Sequence, residues 1–398
     1  MRVLTGNTVE YEGFNICNVD EVYCDESRPV CNNCHRHGVP CEYDRLAEKV
    51  VTARTPPILL SAPHSPSTGV DSPSSPATNP TLQFGLWEMR ALHHFTVATT
   101  RTLPGSHNPR VQECWSIHVP RIALDYEPLL NALIAISALH LIHIASKTSG
   151  HVDPGLLSCR TNYLDAALRT HRQMLDQLNP QTADAACFTS GLLLIDAFAM
   201  LQDRKLEPYE PPAHWLRIVQ GSRYVFQASF HMVKSDPNSA FMDIIGSAST
   251  NMYNPAALFS ESNIQNLPHL TQLSSPDMAD PDESLDPEVS EAYHKTTCCI
   301  GSIVSAVEAG ECTMALCRRI MTFACFVPRR YLDLVEERRP RALIILAHYF
   351  SLSAHARDLW WVGDTPEREV YAIRDEVPSS MRHLLDGPLS NLRNTETQ

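Results

Sequence analysis

Five cysteines crowd the head of the chain, at Cys17, Cys24, Cys31, Cys34 and Cys41, in the steps Cx6C, Cx6C, Cx2C and Cx6C. Thiols so close together in a polar stretch build no apolar core, so whatever folds there is held by bonds to sulfur. A Cx2C turn lets two thiolates reach one zinc ion at ~2.3 Å, and a longer Cx6C step crosses a short helix and returns. Pro29 and Pro40 fit turns ahead of Cys31 and Cys41. The alternatives are a cysteine-rich loop or a disulfide framework. A framework calls for a secretory context, and Met1 to Ile16 carries no apolar signal core.

Residues 24–44, with Cys24, Cys31, Cys34 and Cys41, resemble the Zn2Cys6 binuclear cluster of fungal transcription factors. The family pattern is Cx2Cx6C, a short loop, Cx2C and Cx6–8C, with six thiolates sharing two zinc ions. Five positions are filled if Cys17 counts as the second, and Phe14 stands at the first. The resemblance makes the first and fourth cysteines bridging ligands, so Phe14 leaves each zinc a thiolate short; His35 and His37 are substitute donors outside the family positions. In the family the stretch after the second cysteine is basic and meets DNA. Here residues 18–23 hold Asp20 and Glu21 and no base, and residues 1–50 carry nine acids against five bases. Phosphate neutralisation by Lys and Arg supplies most nonspecific DNA affinity, so the head is poorly charged for that task. Two explanations stand. Either residues before about Tyr23 replace a genuine basic exon, or the cluster has decayed and the protein works without direct DNA contact.

A chain of 398 residues with 43% hydrophobic content allows one large or two unequal domains. The net charge of −13 argues against a general nucleic-acid coat, so any DNA contact is local. Residues 51–83 hold seven prolines and six serines and read as a disordered linker spanning roughly 30 Å. Ser65-Pro66, Ser72-Pro73 and Ser75-Pro76 are candidates for proline-directed phosphorylation, or belong to an unmodified spacer.

From Phe84 the pattern turns helical. Leu86, Met89, Leu92 and Phe95 suggest one apolar face, and Tyr163, Ala167, His171, Leu175 and Leu178 another. Asn179-Pro180 separates that helix from the next, Ala183 to Met200, and Trp215, Leu216 and Val219 mark a further one. The apolar run from Leu129 to Ala145 is interrupted by Asn131, Ser137, His140 and His143 and reads as a buried helix, with no membrane span. The helical signal weakens between about Ser235 and Asp286. Residues 277–291 hold seven acids and no Lys or Arg, a solvated loop or an acidic recruiting segment. With no run of period-two strands, the expected fold is all-α: a small incomplete zinc module (1–50), a disordered linker (51–83) and a large helical domain (84–398).

Eight further cysteines lie in apolar patterns and suit reduced thiols. The pairs His93/His94 and His140/His143 lack Cys or carboxylate partners and read as packing residues. No HExxH, GxSxG, GxxxxGK[ST] or GxGxxG motif occurs, and no enzyme is expected.

Three stretches of the body, Leu92-His93-His94-Phe95-Thr96, residues 114–124 from Cys114-Trp115, and residues 128–141, resemble the regulatory domain of sterol uptake control proteins. Residues 339–350 and Trp360-Trp361-Val362-Gly363 match its end. The resemblance implies a helical domain that dimerises and, in sterol-sensing members, encloses a lipid in a C-terminal pocket near a glycine-bearing loop. Gly363 is the counterpart of that loop, and the helices around Ile300 to Phe326 and Ala342 to Leu352 would line a cavity or simply pack. Together the two resemblances imply a nuclear RNA polymerase II transcription regulator with zinc as cofactor. Its implied partners are CG-rich half-sites in DNA, a homo- or heterodimer mate and a sterol or other apolar ligand, with no membrane; cytoplasmic retention is an alternative location. A partner without DNA binding, heterodimerising with intact relatives, is the second reading.

Overall fold

Prolines and short polar side chains set where the helices begin. The computed structural model describes residues 80–248, 252–265, 267–271 and 286–396. Its longer helices are α1 (Pro80–Val97), α2 (Glu127–Thr148), α3 (Pro154–Leu175), α4 (Ala183–Ala199), α5 (Ala213–Val233), α6 (Pro287–Glu308), α7 (Thr313–Phe326), α8 (Arg329–Glu336), α9 (Pro340–Ser353), α10 (Thr365–Glu376) and α11 (Asp386–Glu396). Proline opens α1, α3, α6 and α9, where its missing N–H costs nothing and its fixed φ suits the first turn. Asp153 caps α3 by accepting from Gly155 N at 2.7 Å, and Asp286 caps α6 by accepting from Glu288 N at 2.9 Å. Among the described residues there is no strand, and the all-α expectation holds.

Two helices form the centre because they are apolar all round. In α2 nearly every residue from Pro128 to Ala138 is buried, and in α4 nearly every one from Ala183 to Ala199. By length and composition α2, and α4 with the turn through Asp203, could each cross a bilayer, but more than half of each apolar window is buried inside the body. Helix α2 packs on α1, α3 and α4, and α4 packs on α5. Helix α5 then meets α7 and α8, while α6 packs on α7, α8 and α9. Helix α9, buried from Arg341 to Ser353, carries α10 and α11 on its far side.

Only half of the expected face of α1 packs, with Leu92 against the core beside Phe95. Phe95 and Ala91 are fully buried, whereas Leu86 is 46% and Met89 68% exposed. Nine residues at about 100° each place Phe95 half a turn round from Leu86, so a strict three-residue spacing cannot keep four side chains on one side. The face of α3 is as expected, with Ala167 and His171 buried and Tyr163 packed against the core. Residues 80–83, expected within the linker, are helical; the rest of that segment and the expected zinc module lie outside the described residues. Among the described residues, the weak region after Ser235 holds short helical turns, such as Ala240–Gly246 and Pro255–Leu258. Part of the acidic run is the start of α6. Asp286 and Glu288 sit where a helix N-terminus favours negative charge, and Glu291 pairs with Lys295 at 2.6 Å.

Candidate functional site

The five cysteines read as zinc ligands, Cys17, Cys24, Cys31, Cys34 and Cys41, lie outside the described residues. As a donor set they supply five thiolates where two zinc ions in this arrangement share six, so the thiols alone do not complete the cluster. The other eight cysteines are described, and all are free. All but Cys312 are buried. Burial, then the carboxylates of Asp243 and Asp184, pushes the Cys114 thiol up to about 12. Burial and Arg223 act oppositely on Cys325, burial prevailing, and it too stands at about 12. Such thiols stay protonated and are poor nucleophiles. Among the described residues no cluster of three or more His, Cys, Asp or Glu is placed to hold a metal ion.

The histidine pairs converge across the fold. His94 of α1 and His140 of α2 approach at 3.2 Å between Nε2 and Nδ1, and Thr99 Oγ1 lies 3.1 Å from the same Nδ1. The indole of Trp360 stacks on His140, with centroids 4.6 Å apart and planes 6° from parallel, and His143 flanks it at 6.0 Å. Burial, then the neighbouring His94 and His143 rings, lowers His140 to about 3. A neutral imidazole sandwiched this way is a packing element, as its sequence setting suggests, while His93 points outward.

An early and a late stretch of the regulatory-domain resemblance meet here, His140 against Trp360. Trp360 Nε1 donates to Thr102 Oγ1 at 3.0 Å, and Trp361 Nε1 donates to the Thr102 carbonyl at 2.8 Å. Gly363 follows in the left-handed region at φ +52°. Gln202, in the turn after α4, donates to the Trp360 carbonyl at 2.9 Å, and its Oε1 fills the space a Cβ on Gly363 would need. The glycine-bearing turn is therefore occupied by protein atoms on its inner side.

A buried polar knot adjoins the turn, and sequence reasoning missed it. Arg204 grips Glu369 of α10, itself 1% exposed, with Nε–Oε1 at 2.5 Å and Nη2–Oε2 at 2.7 Å. Tyr209 OH donates to the same carboxylate at 3.4 Å, and Arg368 donates to the carbonyls of Arg204, at 2.8 Å, and Gln202. In the sequence these are ordinary charged residues of a surface loop and a polar helix. Their separation of 165 positions hides the contact.

Both helices expected around a cavity border one, although Gly363 is not among its lining residues. A cleft of about 650 Å³ opens at the C-terminal end of the body, with Val304 and Val307 from α6 and Leu352 from α9 among its lining. Elsewhere between Ile300 and Phe326, the side chains of Ile300, Ile303, Cys317, Ile320 and Phe323 are buried in the core.

Comparison with known proteins bears on both parts of the chain. The model of the fungal Zn(2)-Cys(6) binuclear cluster domain matches residues 15–49, taking in all five head cysteines and starting one residue after Phe14. A Zn(2)-C6 fungal-type transcription factor of Aspergillus fumigatus, afumD, is 40% identical over 339 residues, which cover 85% of this chain and 83% of that protein. A Zn(2)-C6 fungal-type transcription factor of Gibberella zeae is 27% identical over 418 residues, 91% of this chain and 80% of its own length. Sterol uptake control protein 2 of Candida albicans is 23% identical over 185 residues, 45% of this chain and 25% of that protein. A zinc-cluster head combined with an all-helical body defines a transcription regulator. The chain belongs to the Zn(2)-C6 fungal-type transcription factor family, whose cluster domain binds two zinc ions.

Proposed function

We propose that the chain is a nuclear, sequence-specific regulator of RNA polymerase II genes that reads paired CG-rich half-sites through its head and dimerises through its helical body. Three parts divide the work: the zinc module over 1–50, a linker over 51–83 and the regulatory domain over 84–398. The observation that carries this reading is the cluster-domain match over residues 15–49 in a chain that aligns over most of its length with Zn(2)-C6 transcription factors. Cys17, Cys24, Cys31, Cys34 and Cys41 hold the zinc, with His35 or His37 as the sixth donor. The helical body carries the regulation, including response to an apolar ligand. Fluorescence anisotropy of the full chain on a duplex bearing two CG-rich half-sites tests it. Binding that is at least a hundredfold tighter than to a scrambled duplex, and abolished by a zinc chelator, supports the reading. Absence of such binding overturns it.

One observation favours a second reading. The head carries nine acids against five bases, and none of the bases lies between Cys17 and Cys24. A module so charged suits a partner that acts by heterodimerising with an intact relative and leaves DNA contact to it. Zinc content near zero under reducing conditions, with dimerisation retained, supports this alternative.

A further inference from the structure

The cleft between α6, α9, α11 and the turn Ser379–Leu385 has an apolar wall and a polar wall. Leu267, Val304, Val307, Leu352, Leu384 and Pro388 make the apolar one. Its volume of about 650 Å³ falls within the roughly 300–1,000 Å³ of small-molecule sites. The polar wall is made by His269, His348, Ser351, His383 and Asn391, and the last four share one property: each turns a donor onto a main-chain carbonyl. His348 Nε2 donates to Leu384 O at 3.3 Å, and His383 Nδ1 donates to Ser380 O at 2.9 Å. Ser351 Oγ donates to His348 O at 2.9 Å, and Asn391 Nδ2 donates to Ser351 O at 2.7 Å.

A carbonyl only accepts, so the ring nitrogen facing it carries the proton and the other nitrogen of a neutral imidazole is an acceptor. Burial and the neighbouring His269 ring lower His348 to about 4, which keeps it neutral. The wall therefore offers lone pairs from His348 Nδ1 and Ser351 Oγ, and from His383 Nε2 when that ring carries a single proton. Glu308 adds a carboxylate at the mouth. Arg341, whose charge reaches His269, donates to the Leu270 carbonyl at 3.0 Å. The first turn of α11 gives an anion little, because Pro388 has no N–H and Asp386 places a carboxylate there.

We propose that this cleft binds an apolar molecule whose polar end donates hydrogen bonds, an amine or an alcohol, and discriminates against a carboxylate. An apolar body lies along Val304, Val307 and Leu352, and the donor meets the acceptors of His348, His383 and Ser351. Glu308 favours a protonated amine further. Gly387 keeps the space open: a Cβ there stands 3.7 Å from His348 Cε1, and anything larger projects into the cleft. The proposal rests on the reading of the helical body as ligand-responsive.

Isothermal titration of the zinc-loaded full chain without DNA, at neutral pH, tests it with dodecylamine, 1-dodecanol and dodecanoate below their micelle concentrations. The expected result is saturable binding of the amine and the alcohol, with dodecanoate at least tenfold weaker, and loss of amine and alcohol binding in Gly387→Leu. Should Gly387→Leu fail to fold, His383→Phe at the exposed rim is expected to weaken the amine about tenfold. Dodecanoate binding as tightly as the amine, binding that survives both substitutions, or no saturable binding of amine and alcohol overturns the proposal. Because DNA is absent from the titration, failure of the head to bind DNA leaves this result standing, and failure of the ligand leaves the DNA-binding reading standing.

Discussion

Arg204 and Glu369 form a two-point ion pair across 165 positions of sequence, with both carboxylate oxygens engaged and the Glu369 side chain 1% exposed. It ties the loop after α4 to α10, and so the central helices to the C-terminal ones. Removing one partner leaves a buried charge, which costs roughly 3–5 kcal/mol. Arg204→Ala is therefore expected to lower the unfolding free energy by an amount in that range. Replacing both partners with apolar residues of similar size is expected to recover most of the loss. Urea denaturation of the single and double variants checks this.

Gly363 is the second sensitive point. A side chain there meets two obstacles, the left-handed backbone at φ +52° and the Gln202 side chain. The backbone alone costs roughly 1–2 kcal/mol for a residue other than glycine. Gly363→Ala is expected to lose more than that figure, and Gln202→Ala in the same chain to return only the part due to crowding. A double-mutant cycle on thermal stability separates the two contributions.

Acid is expected to destabilise the helical body in a defined window. Burial lowers His140 to about 3, and lowers His171 and His348 to about 4. The unfolded chain binds these protons near pH 6.5 and the folded chain does not. Stability is thus full above about 6.5 and falls as the pH drops toward 4, by about 1.4 kcal/mol per pH unit for each histidine. His140→Gln is expected to make the curve shallower by one such increment. Melting temperatures measured between pH 7.5 and 4 check the slope, and a flat profile contradicts it.

Asp286 caps α6 through the Glu288 amide. Asp286→Ala is expected to cost about 1 kcal/mol, and Asp286→Asn much less, since the amide oxygen still accepts. Chemical denaturation of both variants distinguishes a capping role from a charge role.

Cys34→Ser is expected to reduce bound zinc and abolish specific DNA binding while leaving the melting temperature of the helical body unchanged. Metal analysis beside calorimetry tests this, and unchanged zinc content would remove Cys34 from the ligand set.

Much of the fold was legible because helices write their boundaries locally. Asn179-Pro180 announced the break between α3 and α4; Asn179 Oδ1 accepts from Gln181 N at 3.0 Å there. Pro287 marked the return of helix at α6. The apolar run from Leu129 to Ala145 identified α2 as a buried helix, because a helix with so few polar positions needs neighbours on most of its surface. The face of α1 was read correctly at Leu92 and Phe95 but not at Leu86 and Met89, because a three-residue repeat drifts around a 3.6-residue helix. His94 and His140, read as packing residues, meet each other at 3.2 Å. Nothing in their sequence showed that Trp360 would lie on His140.

The sequence by itself determined the family, the helical class and the order of the parts. Cysteine spacing, proline placement and helical periodicity are local properties, and a chain of residues records them directly. The tertiary structure alone decided the knot of Arg204, Tyr209 and Glu369, the filling of the Gly363 turn by Gln202, and the acceptor-lined cleft around His348 and His383. Each of these joins residues far apart in the chain. Their chemistry depends on burial and on which donor is already engaged, and those quantities come into being only when the helices pack.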